Sequence, residues 1–230
     1  MSEVPGTPEL SPEAWRLYSR YRLGIPLDSH DSRPCPGCGC NMDNFGDHAL
    51  SCPSLGLYTR HNDLRNELAT LCIEAGCRVE LEAGPPGQLR RPGDLLVHGL
   101  SDSPDAVGIA ATHALHPSAN LADVQAGSLA RKTEQRKIRE SSALCRRHGW
   151  NFCPFVVEVF GAWGGQARHF LHHLASRLAL QQGIPRKEAA LSCRGRIAAS
   201  ILLSIGRQLE RGFSVTVEVA PSPPAEGCCL

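Results

Sequence analysis

Residues 77–115 read CRVELEAGPPGQLRRPGDLLVHGLSDSPDAVGIAATHAL and contain three candidate strands in succession. Apolar and polar residues alternate through CRVELEA at 77–83, and the stretches DLLVHG at 94–99 and AVGIAATHAL at 106–115 are short and apolar. The segments between them, GPPGQLRRPG and SDSPD, are rich in turn-forming residues. Because strands joined by short turns pair as hairpins, this stretch predicts three antiparallel strands.

Helices are predicted on both sides of these strands. Residues 61–75, HNDLRNELATLCIEA, carry apolar side chains at helical spacing and end at Gly76. The other predicted elements are a helix at 13–24, a long helix at 121–148, a fourth strand at 152–160, helices at 165–182 and 186–211, and a last strand at 213–219. Because the fourth strand follows a long helix, it fits a parallel addition to the sheet. The sequence therefore predicts an α/β (α+β) fold in which helices flank one mixed sheet.

The cysteine content and the N-terminus bear on the cellular compartment. The chain has 11 cysteines, an odd number. Residues 1–12 are rich in Pro, Ser and Glu and are predicted to be disordered, and they lack the basic and apolar regions of a secretory signal. No apolar run approaches the length of a membrane span. We therefore expect an intracellular protein whose reduced thiols bind metal instead of forming disulfides.

Residues 33–56 are dense in Cys, Gly, Pro and Asn and hold too few apolar side chains to build a core. A metal ion is a common means of ordering such a segment. Four residues in it have the spacing of a tetrahedral zinc site: Cys35, Cys38, His48 and Cys52. Cys40 is an alternative to Cys38, and the spacing does not decide between them. Asp47 is a candidate partner of the His48 ligand, and incidental loop cysteines are the alternative to the whole site.

The predicted helix at 121–148 is strongly basic. It carries Arg131, Lys132, Arg136, Lys137, Arg139, Arg146 and Arg147. Only Asp123, Glu134 and Glu140 oppose them. The net charge of the chain is +1, so any attraction to nucleic acid has to come from a local patch such as this one. The predicted phosphate contacts, with a solvated helix face as the alternative, are Arg131, Arg136, Lys137, Arg146 and Arg147.

Four sequence stretches together resemble a known family. CPGCGCNMDNFGDHALSC is followed by RHNDLRNEL, RRPGDLLV and VVEVFGAWG. This order resembles the C-terminal part of polyproteins from early-branching, site-specific non-LTR retrotransposons, over roughly residues 14–210. In that family a CCHC zinc knuckle follows the reverse transcriptase, and a restriction-like endonuclease of the PD-(D/E)xK type cuts the target DNA. The resemblance implies a detached C-terminal piece with a helix and zinc knuckle at 13–56 and an αβββαβ endonuclease-like domain at 57–220. The residues at 221–230, PSPPAEGCCL, are predicted from their own sequence to form a flexible tail.

The resemblance also implies roles for individual residues. Asp94, in the motif RRPGD, matches the family's first metal-binding Asp and would hold Mg²⁺. Glu82, on the preceding strand, is a candidate additional acid, and Glu80 shares its face. The family places a catalytic Lys on the helix after the third strand, where Lys137 is the preferred candidate and Lys132 the second. A solvated side chain is the alternative for each of these residues.

The second acidic position of the family is not occupied by an acid. With His113 as the anchor, that position falls on Gly108, and no carboxylate lies between Asp105 and Asp123. Asp105 is predicted to lie in the turn before the third strand, with its side chain pointing elsewhere. The resemblance therefore implies a nuclease that is weakened or inactive.

Several residues beyond the third strand have open roles. Glu158 lies inside an apolar strand where the family has a similar Glu, and both a structural and a catalytic role are open. Trp163 is predicted to pack at a helix start. His169, His172 and His173 are predicted surface residues, because only the His169/His173 pair has metal-binding spacing and no third ligand accompanies it.

Three functions are compatible with these residues. The first is a retrotransposon-derived nucleic-acid-binding protein, nuclear or cytoplasmic, with a degenerate Mg²⁺-dependent DNA endonuclease domain and a structural zinc ion. The second is a non-catalytic module that binds zinc and DNA or RNA. The third is a decayed reading frame without a selected function.

Overall fold

The computed structural model describes residues 9–29, 33–82, 84, 91–113, 115 and 125–214. The predicted disorder of residues 1–12 falls mostly outside these ranges, although Pro12 already begins a helix. The predicted tail at 221–230 lies outside them as well. Of the predicted strand at 213–219, only the first two residues are described, and Phe213 is the last residue of a helix and not part of a strand.

The helices and strands follow one another in this order. The first part holds α1 (Pro12–Arg22), β1 (Arg33–Pro34), β2 (Asn41–Met42), α2 (Asp47–Ser51) and a 3₁₀ turn (Pro53–Leu55). There follow α3 (Leu57–Glu74), β3 (Arg78–Leu81), β4 (Leu95–His98), β5 (Asp105–Thr112), α4 (Ser128–Arg147), β6 (Asn151–Glu158), α5 (Gly165–Gln182) and α6 (Arg186–Phe213). α4 thus begins later than predicted, directly after Gly127, whose φ of 81° is not helical.

The described chain divides into two compact units. Unit 1 combines the described residues up to Arg60 with Leu115 and with the end of α6 from Ile201 onward. Unit 2 contains the rest, from His61 through the sheet to Ser200. The end of α6 therefore belongs to the unit that holds the cysteine-rich segment, whereas the predicted domain 57–220 includes it.

The sheet of unit 2 has the strand order β3-β4-β5-β6. β3 pairs antiparallel with β4, and β4 with β5. β6 pairs parallel with β5, from Asp105 opposite Asn151 to Thr112 opposite Glu158. α4 provides the long connection that a parallel pair requires. The predicted mixed sheet with flanking helices is therefore confirmed, including its antiparallel hairpins and its parallel fourth strand.

The two strands β5 and β6 form the core of unit 2. Ile109 and Phe155, on these strands, are exposed by only 2% and 0%. α5 buries a stripe of residues spaced as on one helix face: Ala167, Phe170, Leu171, Leu174, Ala175 and Leu178. The rings of Phe155 and Phe170 meet edge to face, with 6.0 Å between their centroids. Because full burial of such a large apolar side chain contributes about 1.5–3 kcal/mol, this stripe holds α5 on the sheet.

Two buried carboxylates bind the starts of helices in unit 2. Glu158, at the end of β6, accepts hydrogen bonds from the backbone N–H groups of Gly127 (3.1 Å) and Ala130 (3.0 Å) at the start of α4. Glu134, inside α4, accepts one from the N–H of Gln166 (2.8 Å) at the start of α5. The first N–H groups of a helix lack partners within it and carry partial positive charge, so a carboxylate satisfies both needs. These contacts give Glu158 a structural role.

The end of α6 packs on the cysteine-rich segment within unit 1. The buried amide of Gln208 donates a hydrogen bond to the carbonyl oxygen of Ala49 (2.9 Å) and accepts one from Nη1 of Arg60 (2.9 Å). Burial lowers the pKa of Arg60 to about 10. A Cβ on Gly46 would approach the side chain of Leu209 to 2.8 Å, so the two residues are closely packed. The cysteine-rich segment is thus anchored by protein contacts on one side.

α6 is apolar enough, by length and composition alone, to cross a membrane, with a segment of mean hydropathy 1.2. This differs from the expectation that no run approaches a membrane span. Its buried residues recur every four positions: Ala189, Cys193, Ile197, Ile201, Ile205 and Leu209. Such a stripe is typical of a helix packed inside a protein, which passes the same test, so the apolarity of α6 is weak evidence of a membrane span.

Candidate metal centre and nucleic-acid interface

The four predicted zinc ligands lie together in unit 1. The ligand atoms of Cys35, Cys38, His48 and Cys52 all lie within 4.8 Å of one another. The Sγ atoms of Cys35 and Cys52 are 3.9 Å apart, and Sγ of Cys38 is 3.4 Å from Nε2 of His48. Ligands bound at about 2.0–2.3 Å from a tetrahedral zinc lie about 3.3–3.8 Å apart, which is close to these distances. The group can therefore hold a metal ion, and it contains Cys38 and not Cys40.

A tight turn places the first two cysteines of this group. The N–H of Cys35 donates to the carbonyl oxygen of Cys40, and the N–H of Gly39 donates to that of Cys35, both at 2.8 Å. Gly37 faces the turn after the last ligand so closely that a Cβ would lie 2.7 Å from Cβ of Ser54. A larger residue at Gly37 would therefore push apart the two chain segments that bring the ligands together.

Asp43 places the histidine ligand. Its carboxylate accepts hydrogen bonds from the backbone N–H groups of Gly46 (2.7 Å) and His48 (2.6 Å). This arrangement covers the start of the short helix α2 and fixes the direction from which the imidazole leaves the backbone. Asp43 was not among the predicted site residues, although an Asp three residues before a Gly, as in DNFG at 43–46, is a typical turn signal. The role of Asp47, which begins α2 beside His48, stays a prediction.

Burial raises the pKa of the Cys35 thiol to about 12. A bound cation acts in the opposite sense and deprotonates a thiol that coordinates it. Metal uptake by this group would therefore release protons, as for other thiolate sites.

Asp94, immediately before β4, is the centre of the predicted nuclease site. Its Oδ2 accepts a hydrogen bond from the N–H of Ile109 (2.6 Å), and its Oδ1 lies 3.3 Å from Nε2 of His61 on α3. Burial acts to raise the pKa of Asp94, but the hydrogen bonds from His61 and Ile109 and the charge of Lys137 hold it below its ordinary value. His61 was missed in the sequence, although it stands in the RHNDLRNEL motif.

Lys137 is the lysine that reaches this site. It is half-buried on α4, and its Nζ lies 3.7 Å from the place that a Cβ on Gly108 would take. Burial lowers the pKa of Lys137, while the charge of Asp94 acts to raise it. The ring of Phe152 closes the same space, 3.1 Å from that Cβ position. The fold therefore brings Asp94, Gly108 and Lys137 together, whereas Lys132 is exposed.

The other predicted acids are engaged elsewhere. Glu82 lies one residue beyond β3, with a φ of 52°, and not on the strand as predicted. Its carboxylate pairs with the guanidinium groups of Arg65 (2.7 Å) and Arg91. Oε1 of Glu80 lies 3.1 Å from Nη2 of Arg78 and also 3.1 Å from Nε2 of His98. These contacts bind both carboxylates to cations of the protein itself, so Glu82 is a weaker candidate for a metal ligand than its sequence position indicated.

Asp105 differs from its predicted place in a turn. It is the first residue of β5 and is 9% exposed. Its carboxylate accepts hydrogen bonds from Oγ of Ser101 (2.7 Å) and from Nδ2 of Asn151 (3.2 Å). This carboxylate therefore ties the start of β5 to the turn before it and to the parallel neighbour β6.

The basic face of α4 consists of side chains that are exposed: Arg131, Lys132, Arg136, Arg139, Arg146 and Arg147. Of the acids predicted to oppose them, Asp123 lies outside the described residues, and Glu140 is exposed on the helix. Glu134 is 6% exposed, and its carboxylate accepts a hydrogen bond from the start of α5. Among the described acids of α4, Glu140 is therefore exposed beside these cations, whereas Glu134 is directed into the protein.

Trp163 lies beside the core near the start of α5. Its ring meets that of Phe155 edge to face, at 6.2 Å between centroids and 84° between planes. It also forms a bridge with Val157 on β6. Both contacts accord with the predicted packing role at a helix start.

Compared with known proteins, the chain matches no family model and no curated protein. Three features therefore carry the functional argument by their geometry: the metal group, the basic face of α4, and the space around Asp94 bordered by His61, Gly108, Lys137 and Phe152, which we call the Asp94 pocket.

Proposed function

We propose that the chain is a nucleic-acid-binding protein descended from the C-terminal region of a site-specific non-LTR retrotransposon, with a structural zinc knuckle and a degenerate restriction-like endonuclease domain. The observation that carries this proposal is the basic face of α4, which belongs to the same helix as Lys137 in the Asp94 pocket. The order helix, three strands, helix, strand in α3 to β6 supports the endonuclease-like ancestry. The CCHC group supports the knuckle.

The basic face of α4 is suited to phosphate groups. Its Arg and Lys side chains project into solvent, where each phosphate contact displaces condensed counterions from the nucleic acid. Arginine guanidinium groups also bind phosphate oxygens through two parallel hydrogen bonds. Contacts of this kind carry no base sequence information, so the proposed binding is governed by salt and is largely independent of sequence.

The binding proposal is tested by fluorescence anisotropy with a labelled duplex over a range of salt concentrations. Arg136→Glu is expected to weaken binding about tenfold and to reduce the slope of log K against log salt by about one. Arg22→Glu is the matched control, because it makes the same charge reversal at an exposed position on α1. Absence of binding at about 50 mM salt would remove the proposal.

The Asp94 pocket does not fit a catalytic Mg²⁺ ion. Mg²⁺ prefers oxygen ligands, usually one or two carboxylates with waters. The groups around Asp94 are instead an imidazole and an ammonium group, from His61 and Lys137. Gly108 offers no carboxylate, and the ring of Phe152 closes on its position. Hydrolysis of phosphodiesters at this pocket is therefore proposed to be weak or lost, and we derive no catalytic step through a metal.

A second candidate function is a non-catalytic module that binds zinc and DNA or RNA. What favours it is the same closure of the space at Gly108 by an aromatic ring and an ammonium group. The two candidates make the same prediction for binding and differ in cleavage. Mg²⁺-dependent nicking of plasmid DNA that Asp94→Ala abolishes supports the degenerate nuclease, whereas no nicking at any Mg²⁺ concentration supports the module.

A further inference from the structure

An open cleft lies along α5 in unit 2. It is lined by Leu100, from the turn after β4, and by His172, His173, Ser176, Arg177 and Leu180 of α5. Leu180 is 83% exposed, so the cleft opens to solvent. The polar lining consists of two imidazoles, a hydroxyl and a guanidinium, and none of the lining residues has a carboxylate. The hydroxyl of Ser176 donates to the carbonyl oxygen of His172 (2.9 Å), which leaves the imidazoles and Arg177 as the donors.

The helix that forms this cleft has no acidic residue. Between Gly165 and Gln182, α5 contains arginines and histidines but neither Asp nor Glu. The guanidinium of Arg186, at the start of α6, contacts the ring of His172, with Nη2 3.1 Å from Nδ1. The turn that supplies Leu100 also carries Asp102, which is exposed and does not line the cleft.

The groups that face His172 are cationic or titrate to cations. Its pKa lies below the ordinary value chiefly because of the charge of Arg186, with smaller effects of desolvation, of His173 and His169 on the same helix, and of Arg194 on α6. This crowding of positive groups disfavours the imidazolium form as long as no anion is present.

We propose that this α5 cleft binds a phosphate group of a nucleic-acid strand, in a proton-linked manner through His172 and His173. The inference rests on the proposed nucleic-acid binding and adds a contact surface other than the basic face of α4. Arg177 can bind phosphate oxygens through two parallel hydrogen bonds, and protonated imidazoles donate further ones. Leu100 and Leu180 provide apolar walls against which a sugar or base can pack.

The charges in the cleft favour an oxyanion over a metal ion. His169 and His173 are one helical turn apart, with ring centroids at 4.4 Å, a spacing that suits two-point metal binding. A cation placed there would be repelled by Arg186 and Arg194, the same groups that depress the pKa of His172. A phosphate is attracted by all of them.

The proton linkage has a definite sign. A phosphate beside the imidazoles stabilises their charged forms, so binding takes up protons. Affinity is therefore expected to rise as the pH falls toward the pKa of free His172, which the charge of Arg186 holds below the ordinary histidine value of about 6.5.

The experiment measures the binding of a labelled single-stranded oligonucleotide of about 20 nucleotides to the full chain by fluorescence anisotropy. The wild type is expected to bind about three- to tenfold more tightly at about pH 6 than at about pH 7.5. His172→Gln combined with His173→Gln is expected to remove this pH dependence. Arg177→Ala is expected to weaken binding about five- to tenfold and to lower the salt slope by about one. Arg168→Ala, an exposed arginine of α5 that does not line the cleft, is the control.

The outcomes separate this site from the proposed function. If the wild type binds but the Arg177 and histidine variants behave like Arg168→Ala, the proposal that the cleft binds phosphate is overturned, and the proposal of nucleic-acid binding elsewhere on the chain stands. If the wild type does not bind at about 50 mM salt at either pH, the proposed function fails and the site falls with it. All four substituted residues, Arg168, His172, His173 and Arg177, are exposed, and thermal unfolding of each variant checks that its fold is kept.

Discussion

Asp94 is hydrogen-bonded to the two residues that flank Gly108 in the chain. The groups that surround Gly108 therefore determine which chemistry the Asp94 pocket can perform. The N–H of Asp94 donates to the carbonyl oxygen of Val107 (2.8 Å), and the N–H of Ile109 donates to Oδ2 of Asp94 (2.6 Å). A carboxylate introduced at Gly108 would meet the ring of Phe152 and the ammonium of Lys137. It would have to displace the ring, and would pair with the ammonium, before it could take up a metal ion. Restoring a nuclease therefore requires two substitutions.

The double variant Gly108→Asp/Phe152→Ala is expected to gain Mg²⁺-dependent nicking of supercoiled plasmid, and adding Asp94→Ala is expected to abolish it. Gly108→Asp alone is expected to show no nicking and to lose about 1–3 kcal/mol of unfolding free energy, because the new side chain overpacks the pocket. Gly108→Ala/Phe152→Ala is the control for the space created. Nicking by the wild type that Asp94→Ala stops would show that the closed space at Gly108 does not abolish catalysis, and would support the weak nuclease over the non-catalytic module.

Asp94 also makes a pH-dependent contribution to stability. Its folded-state pKa is below the ordinary value, so its stabilising effect is fully present above the unfolded pKa of about 3.9 and is lost as the pH falls through the folded pKa. Asp94→Asn is therefore expected to destabilise the protein more at about pH 7 than at about pH 3. Urea unfolding at the two pH values measures the difference, and an equal loss at both would show that the charge of Asp94 does not stabilise the fold.

At the scale of helices and strands, the end of an element was predicted correctly where a glycine closes it. The prediction of a helix at 165–182 is confirmed, because Gly183, with a φ of 67°, closes it. The helix predicted from 121 begins only at Ser128, after Gly127. The strand predicted at 213–219 is wrong at Phe213, which is the last residue of α6 and whose ring lies near Gly46 and Arg33 of the cysteine-rich segment. Apolar alternation alone does not reveal such a tertiary contact.

The sequence does not show which acids of α4 are buried and which are exposed. Glu134 and Glu140 lie on the same basic helix, yet one is buried and the other exposed. The difference arises because Glu134 faces the start of α5, far along the chain. A Cβ on Gly164 would lie 2.0 Å from Oε1 of Glu134, so this contact requires glycine there. Sequence spacing predicts which residues share one face of a helix, but it does not predict which other helix packs its end against that face.

Glu134→Ala is expected to lower the free energy of unfolding by about 1–3 kcal/mol, because it leaves the N–H groups at the start of α5 without their acceptor. Glu140→Ala, on the exposed face of the same helix, is expected to change it by less than about 0.5 kcal/mol. Urea denaturation followed by far-UV circular dichroism measures both. Equal effects of the two variants would show that the buried contact contributes no more than an exposed charge.

At the scale of the molecule, the division into two units changes which segments of the chain are expected to depend on zinc for their order. The ligand spacing predicted a metal that orders residues 33–56 alone. In unit 1, however, the carbonyl oxygen of Ala49, between two ligands, receives a hydrogen bond from Gln208 near the end of α6. Arg33, at the start of the cysteine-rich segment, donates to the carbonyl oxygen of Gly212 (2.9 Å). The end of α6 should therefore lose its packing partner when the metal is removed.

Chelation of zinc is expected to increase hydrogen exchange together in residues 33–56 and in α6 from Ile201 to Phe213, while β5 and β6 stay protected. The reason is that the metal supplies the order that this segment's few apolar side chains cannot, and its partner helix then exposes Leu209 and Phe213. Cys38→Ser is expected to show the same exchange pattern without a chelator, whereas Cys40→Ser is expected to retain zinc, because Cys40 lies outside the ligand group. Exchange that spreads to β5 and β6 would mean that the two units unfold as one. Exchange confined to 33–56 would mean that the contacts of Gln208 and Arg33 do not depend on the metal.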